Sequence, residues 1–167
     1  MAPTVCATLE SRSEEAVLDP DDYLLPSFEA DLTAWGDLLP ASYRVLRVNC
    51  FADIFIVDDD GAVHMLEIAA GSTSRIADTE DQFWLDLVHD KDGWLLRPLV
   101  DRCHEVGLTL SAGTCYGFTT FPIFGGKYEV ENIFVVPLAE WVPLMGELHL
   151  TTKDLPVGTP VHIQVVD

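Results

Sequence analysis

The chain has 167 residues, and its 28 acidic and nine basic side chains leave a net charge of −19 at pH 7. A chain of this length forms one ordinary domain with a core of its own, for which four Trp and eight Phe residues supply large apolar side chains. The charge argues against direct binding of nucleic acid or anionic lipid, which draws on clustered Lys and Arg, and it favours a basic partner.

Residues 1–42 are predicted to form an acidic N-terminal arm with one short helix. Nine acidic residues lie there beside a single base, Arg12. Ser27 is suited to cap a helix whose apolar side chains fall near one face, and Pro40 is suited to end it. The remaining residues, 43–167, are predicted to form a compact domain of mixed α and β structure.

Three short β-rich stretches open this domain. They are RVLRVN, DIFIVD and VHMLEI, which begin at Arg44, Asp53 and Val63. Asp59-Asp60-Gly61 is a strong turn signal between the second and the third, so we expect a hairpin there.

Two helices are predicted next, after STSRIA, which is assigned to neither helix nor strand. Asp78 or Thr79 caps the first helix, in which Phe83, Trp84, Leu87 and Val88 are expected to face inward. The second helix starts near Leu95 and ends before Gly107, which is suited to a left-handed cap.

Strands return in the last third of the chain. They are predicted over 116–124 and 130–136, with a helix over PLAEWVPLMGELHLTTKDL and a final strand over VHIQVV. The glycines at 125 and 126 are interpreted as a tight connection rather than a phosphate loop, because a strand and not a helix follows Lys127. This order of elements predicts one α+β domain with a largely antiparallel sheet flanked by helices.

No catalytic, cofactor or metal site is predicted. Cys103 and His104 are neighbours that point about 100° apart on a helix, and Cys103 falls on the apolar face. Asp58-Asp59-Asp60-Gly61 lacks the alternating acids of a calcium loop. The four cysteines are scattered without CxxC spacing, which indicates reduced thiols.

The sequence also suggests where the protein acts. The N-terminus lacks the basic start and apolar run of a secretion signal, and no stretch approaches the roughly 20 apolar residues of a membrane span. We therefore expect a cytoplasmic protein.

Five short segments carry a more specific signal through their order and spacing. They are Cys115-Tyr116-Gly117-Phe118, Gly125-Gly126, Glu131-Asn132, Gly146-Glu147-Leu148-His149 and Leu155-Pro156-Val157-Gly158-Thr159. Together they resemble the C-terminal domain of bacterial immunity proteins that guard against DNase toxins delivered by type VI secretion. The resemblance covers roughly residues 43 to 166 and departs from the family at Ala52, where a glycine is common.

The resemblance implies a non-catalytic inhibitor that binds a cognate toxin one-to-one in the cytoplasm. A DNase carries a basic groove for phosphates, which an acidic inhibitor can occupy. The residues predicted to bind the toxin are Asp58, Asp59, Asp60, Glu80 and Asp81, with the N-terminal arm as a further candidate.

Three other interpretations stay open at this stage. A small hydrolase would use Cys103 or Cys115 with a histidine, and an acidic scaffold would bind some partner other than a toxin. The charge could also serve only to keep a solvated surface soluble.

Overall fold

The computed structural model describes residues 19–90 and 92–163. Its helices and strands follow one another in the order β1 Tyr43–Val48, β2 Ile54–Asp58, β3 Val63–Glu67, β4 Ser72–Ala77, α1 Glu80–His89, α2 Arg97–Glu105, β5 Thr114–Phe118, β6 Ile133–Pro137 and α3 Leu138–Thr152. Short 3-10 helices cover Pro20–Tyr23, Thr33–Trp35, Pro122–Phe124 and Val130–Asn132.

Two antiparallel sheets form the framework. The larger is a four-stranded meander in the order β1-β2-β3-β4, and the smaller pairs β5 with β6. With three α-helices packed around them, the predicted α+β single domain is confirmed.

One hydrophobic core joins the two sheets. Ile54, Phe55 and Ile56 are consecutive in β2 and fully buried, so both faces of the larger sheet are covered. Phe51, just before β2, packs against Tyr116 of β5 with ring centroids 5.3 Å apart. The Tyr116 amide also donates a hydrogen bond to the Cys50 carbonyl at 2.8 Å, which fixes the smaller sheet beside the β1–β2 connection.

The prediction of a helix that begins at Ser27 is wrong. Only Thr33–Trp35 is helical in that stretch, as a 3-10 turn. Asp31 accepts hydrogen bonds from the Thr33 amide at 2.8 Å and the Thr33 hydroxyl at 2.6 Å, and such local bonds compete with a continuous α-helix. Trp35 is fully buried and donates its indole N–H to the Val142 carbonyl of α3 at 2.9 Å, so tertiary packing shapes this segment.

The predicted N-terminal arm is described only from Asp19 onward, and residues 1–18 lie outside the described residues. The described part contacts the core through Tyr23, Leu24 and Trp35, which are all buried. The division of the chain at residue 42 stays a prediction.

STSRIA forms β4, a strand that was not predicted from the sequence. It pairs antiparallel with β3, and Thr73, Ser74 and Arg75 are exposed. Because an edge strand is solvated along one side, it can be polar and lacks the apolar alternation that identifies a strand in sequence.

The caps predicted for the two middle helices agree with the structure. Thr79 caps α1 by accepting a hydrogen bond from the Gln82 amide at 3.2 Å, as predicted. Gly107 adopts φ +84° after α2 and donates to the His104 carbonyl, which confirms the left-handed cap. The prediction that Val88 faces inward is wrong, since 40% of its surface is exposed.

The strand predicted over 116–124 ends at Phe118, and a loop over 119–132 leads to β6. Gly125 adopts φ +86° after the 3-10 turn, and a Cβ on Gly126 would overlap the Thr120 carbonyl oxygen. These glycines therefore have a structural role, and no helix begins at Lys127. The connection is nevertheless longer than the predicted tight turn.

The final strand predicted over VHIQVV does not form in its described part. Residues 161–163 have no regular secondary structure, and 164–167 lie outside the described residues.

Candidate partner-binding surfaces

The fold brings the two predicted acidic clusters to one end of the larger sheet. β2 ends at Asp58, directly opposite Tyr43, and β3 begins at Val63, directly opposite Ala77 at the end of β4. The hairpin turn after β2 and the junction between β4 and α1 therefore lie at the same end. We call the following set the acidic sheet end: Asp58, Asp59, Asp60, Asp78, Glu80 and Asp81.

Asp58 organises the turn instead of presenting a free charge. Its carboxylate accepts hydrogen bonds from the amides of Asp60 and Ala62, each at 3.0 Å, and lies 2.8 Å from Nε2 of His64. The hydrogen bond with His64 is the main reason that the pKa of Asp58 lies below its ordinary value. Replacing Asp58 would therefore disturb the hairpin as well as the surface charge.

The other members of the acidic sheet end differ in how far they are paired. Glu80 is bonded to Arg44, and Asp78 lies 2.9 Å from Arg75. Asp59 accepts a hydrogen bond from the Ser42 hydroxyl at 2.8 Å. Asp60 and Asp81 are exposed, and within the described part of the chain their side chains have no hydrogen bond or ion pair.

A second surface is an apolar groove of about 750 Å³ at the end of α3. Three segments that carried the family resemblance border or line it, although they are far apart in sequence. Ile123 and Phe124, which precede Gly125, are each 40% exposed, and Leu155 is 42% exposed. The residues that line the groove are Ala70, Gly71, Ile123, Phe124, His149, Thr152, Lys153, Leu155, Pro156, Val157, Gly158, Thr159 and Val161.

His149 braces one wall of the apolar groove. Its ring stacks on Trp35 with centroids 5.4 Å apart, and its Nε2 lies 3.1 Å from an Asp37 carboxylate oxygen. Lys153 donates to the same oxygen at 2.9 Å. Lys153 first, and His149 second, hold the pKa of Asp37 below its ordinary value. This cluster ties the segment before β1 to the last turns of α3.

Asp78 and the apolar groove were not predicted from the sequence. Asp78 was considered only as a helix cap, while Thr79 took that role. A usable signal for the groove was the pair of apolar residues at 123 and 124 directly before two glycines, because a hairpin connection is otherwise polar. Their convergence with the segment 155–159 depends on the tertiary structure.

The cysteines of the described chain are not placed as nucleophiles. Cys50, Cys103 and Cys115 are all buried. Burial raises the pKa of Cys50 and of Cys115 to about 12, and it also raises the pKa of Cys103. A reactive cysteine needs an accessible thiolate, so these side chains have the properties of core residues.

Residues 19–90 and 92–163 contain no group of three or more His, Cys, Asp or Glu side chains arranged to hold a metal ion. Among the helices within these ranges, none is long and apolar enough to cross a membrane.

Comparison with known proteins bears on both surfaces. Residues 77–149 match the family model described as "T6SS immunity protein Tdi1, C-terminal", where T6SS is the type VI secretion system. The match supports a type VI immunity family. It includes the acidic junction before α1, the loop that carries Ile123 and Phe124, and α3 as far as His149. The hairpin at Asp58 and the segment 155–159 lie outside it.

No curated protein matches the chain. Among solved structures, the "Crystal structure of Atu4351 from Agrobacterium tumefaciens" is similar, with a TM-score of 0.50 and 16% sequence identity. The similarity covers 66% of this chain and 56% of that one, so it spans little more than half of the Atu4351 chain. At this identity the likeness concerns the fold alone.

Proposed function

We propose that the protein is an immunity protein that binds and neutralises a nuclease toxin of a type VI secretion system. The observation that carries this proposal is the family match over residues 77–149, which contains parts of both candidate surfaces. The inhibitor acts by binding, forms a one-to-one complex and works in the cytoplasm, where a DNase meets its substrate.

The charge of the molecule supports a nuclease as the partner. A nuclease must hold the phosphates of its substrate in a basic groove, and a net charge of −19 attracts such a surface. Asp59, Asp60 and Asp81 project their charges from the acidic sheet end with little or no pairing, so they are the residues best placed to steer association.

The apolar groove offers the buried contacts that would slow dissociation of the complex. Charges on the rim of an interface mainly accelerate encounter, whereas buried apolar contacts determine how long a complex survives. Ile123, Phe124, Leu155 and Val157 are accessible apolar side chains of the groove, and we assign the first three the role of anchors.

The burial of the cysteines supports inhibition without catalysis. A hydrolase that used Cys103 or Cys115 would have to bring substrate to a thiol with no exposed surface, and in each case burial raises the thiol pKa.

Co-expression tests the function directly. A candidate toxin from a neighbouring gene is expressed in a susceptible bacterium with and without this protein, and survival and chromosomal DNA integrity are measured. We expect the toxin to kill alone and the protein to restore both readouts. Death in both cases, with both proteins detected in soluble form, would refute the assignment.

Binding kinetics test the role of each surface with a catalytically inactive form of the same toxin. Converting Asp59, Asp60 and Asp81 to their amides should slow association and flatten its dependence on salt. Phe124→Ala with Leu155→Ala should instead raise the dissociation rate, by about tenfold or more. The control carries Glu105→Gln, Glu131→Gln and Glu140→Gln, which are exposed and remove the same charge elsewhere. Equal slowing in the control would mean that only net charge matters.

A further inference from the structure

β1 is an edge strand whose outer side is paired at one end only. The Leu25 amide donates to the Val48 carbonyl at 2.8 Å, and Leu24 forms an isolated bridge with Asn49. From Tyr43 to Arg47, the backbone hydrogen bonds to other described residues are those of the pairing with β2. The ladder is irregular between Val45 and Arg47, and the Leu46 carbonyl accepts a hydrogen bond from the Arg47 guanidinium at 2.9 Å. Since every second residue of an antiparallel edge strand directs its N–H and C=O away from its neighbour, Tyr43 to Val45 present backbone groups that no other described residue pairs.

A groove follows this free edge. One depression of about 690 Å³ contacts Val45 to Val48, and a second of about 750 Å³ contacts Tyr43 to Val45. Consecutive residues of a strand point to opposite faces of a sheet, so contact with consecutive residues places the groove along the edge and not over one face. The opposite wall is formed by the chain between Asp21 and Ala41.

The charge of the segment that forms this wall favours a basic occupant. The segment 19–42 contains no lysine or arginine. Its acidic residues are Asp19, Asp21, Asp22, Glu29, Asp31 and Asp37, of which Asp21 and Asp31 line the groove and Asp37 is paired with Lys153. Arg44 and Arg47 of β1 also line the groove, but Arg44 is bonded to Glu80, and Arg47 lies over the Trp84 ring at 5.1 Å. A second copy of this chain, with its own charge of −19, is repelled from the same place.

The groove is also continuous with the acidic sheet end. Ser42 immediately precedes β1 and donates its hydroxyl to Asp59 at 2.8 Å, so the open edge begins where the acidic sheet end stops. A partner steered to the acidic sheet end thus arrives beside the unpaired strand.

We propose that an extended segment of the toxin, rich in Lys and Arg, adds to the outer edge of β1 as a further strand. Backbone hydrogen bonds to β1 supply affinity, and the acidic wall supplies specificity for the basic side chains. This inference rests on the proposed function, since it names how that toxin is held.

Amide hydrogen exchange resolved by NMR tests the pairing, using the full chain alone and saturated with the catalytically inactive toxin. We expect the outward amides between Tyr43 and Arg47 to exchange fast in the free protein and at least about tenfold more slowly in the complex, because a ladder hydrogen bond protects them. The amides of β4, the opposite edge strand, serve as the internal control and should keep their rates.

Charge variants test the selectivity of the wall. Asp21, Asp22 and Glu29 are exposed and lie outside the acidic sheet end. Converting all three to amides should slow association at least about threefold at low ionic strength, as expected when steering charges are removed. The triple variant at Glu105, Glu131 and Glu140 should slow association less.

The possible outcomes separate this inference from the proposed function. A toxin that binds without slowing exchange at β1 would overturn the inference and leave the function intact. Slow exchange at these amides in the free chain would also overturn the inference. It would mean that another part of the same chain already pairs with β1 or, if the exchange rate depends on protein concentration, that a second copy does. Absence of toxin binding would overturn both.

Discussion

At the scale of single residues, a buried pair organises the connection between β1 and β2. The Asn49 side-chain amide donates to Asp53 at 3.1 Å and to the Trp94 carbonyl at 2.9 Å, while Asp53 accepts the Ile68 amide at 2.8 Å. Between them, Ala52 adopts φ +68°, in the region that glycine favours. This geometry agrees with the glycine that the family resemblance implies at position 52.

Asp53 should make stability depend on pH in an unusual direction. Burial raises its pKa from 3.8 to about 7, although hydrogen bonds from Asn49 and Ile68 oppose the shift. The folded state thus holds the proton more tightly than the unfolded state. The contribution of Asp53 to the free energy of unfolding is greatest below about pH 4 and is lost as the pH rises to about 7. The loss amounts to at most about 1.4 kcal/mol per pH unit.

Urea unfolding at pH 4.5, 6 and 7.5 measures this effect. Asp53→Asn cannot titrate there, so the stability of the variant relative to the native protein should improve as the pH rises. Asp81→Asn removes an exposed carboxylate and should retain the native slope. Parallel profiles for Asp53→Asn and the native protein would contradict the assigned pKa.

At the scale of elements, hydrogen bonds from the Asn132 side chain close the loop between β5 and β6. Asn132 accepts the Thr120 amide at 2.7 Å and donates to the carbonyls of Thr120 and Lys127, each at 2.9 Å. This clamp closes the loop and presents Ile123 and Phe124 to the apolar groove. The glycines and the asparagine are visible in the sequence, but their sequence positions do not show that the Asn132 side chain bonds to Thr120, 12 residues away.

The two glycines of this loop should differ in their tolerance of a side chain. Gly126→Ala forces a Cβ against the Thr120 carbonyl, and we expect the free energy of unfolding to fall by about 2 kcal/mol or more. At Gly125 an added Cβ meets nothing within 4 Å, so Gly125→Ala should cost only the left-handed strain, about 1 kcal/mol. Urea denaturation of both variants measures the difference, and equal costs would mean that the Gly126 contact relaxes freely.

At the scale of the whole molecule, the net charge of −19 opposes the folded state as well as attracting a partner. Like charges are closer together in a compact domain than in an unfolded chain. Surface ion pairs such as Arg75 with Asp78 are exposed and offset little of this repulsion.

Salt should therefore stabilise the protein. Between 10 mM and 300 mM NaCl the Debye length falls from about 30 Å to less than 10 Å, which screens the repulsion. We expect a rise in Tm of a few degrees, equivalent to about 1 kcal/mol. The triple variant at Glu105, Glu131 and Glu140 should gain less from salt. A Tm that fell with NaCl would show that ion pairs outweigh the repulsion.

The sequence by itself determined the features that depend on a few adjacent residues. The hairpin at Asp59-Asp60-Gly61, the Thr79 cap and the Gly107 cap were all predictable, because a turn or a cap is specified by the φ preference and hydrogen bonds of its own residues. The succession of strands, helices and strands was enough for the α+β class.

Only the tertiary structure decided what depends on contacts between distant segments. It placed Asp58 and Glu80 at one end of a sheet, made a strand of STSRIA beside β3, and replaced the helix expected after Ser27 with a 3-10 turn that buries Trp35. Both grooves arise in the same way, since each wall comes from a different part of the chain. Local propensities carry no information about which distant segments meet, because those contacts are selected by the burial of the whole apolar surface at once.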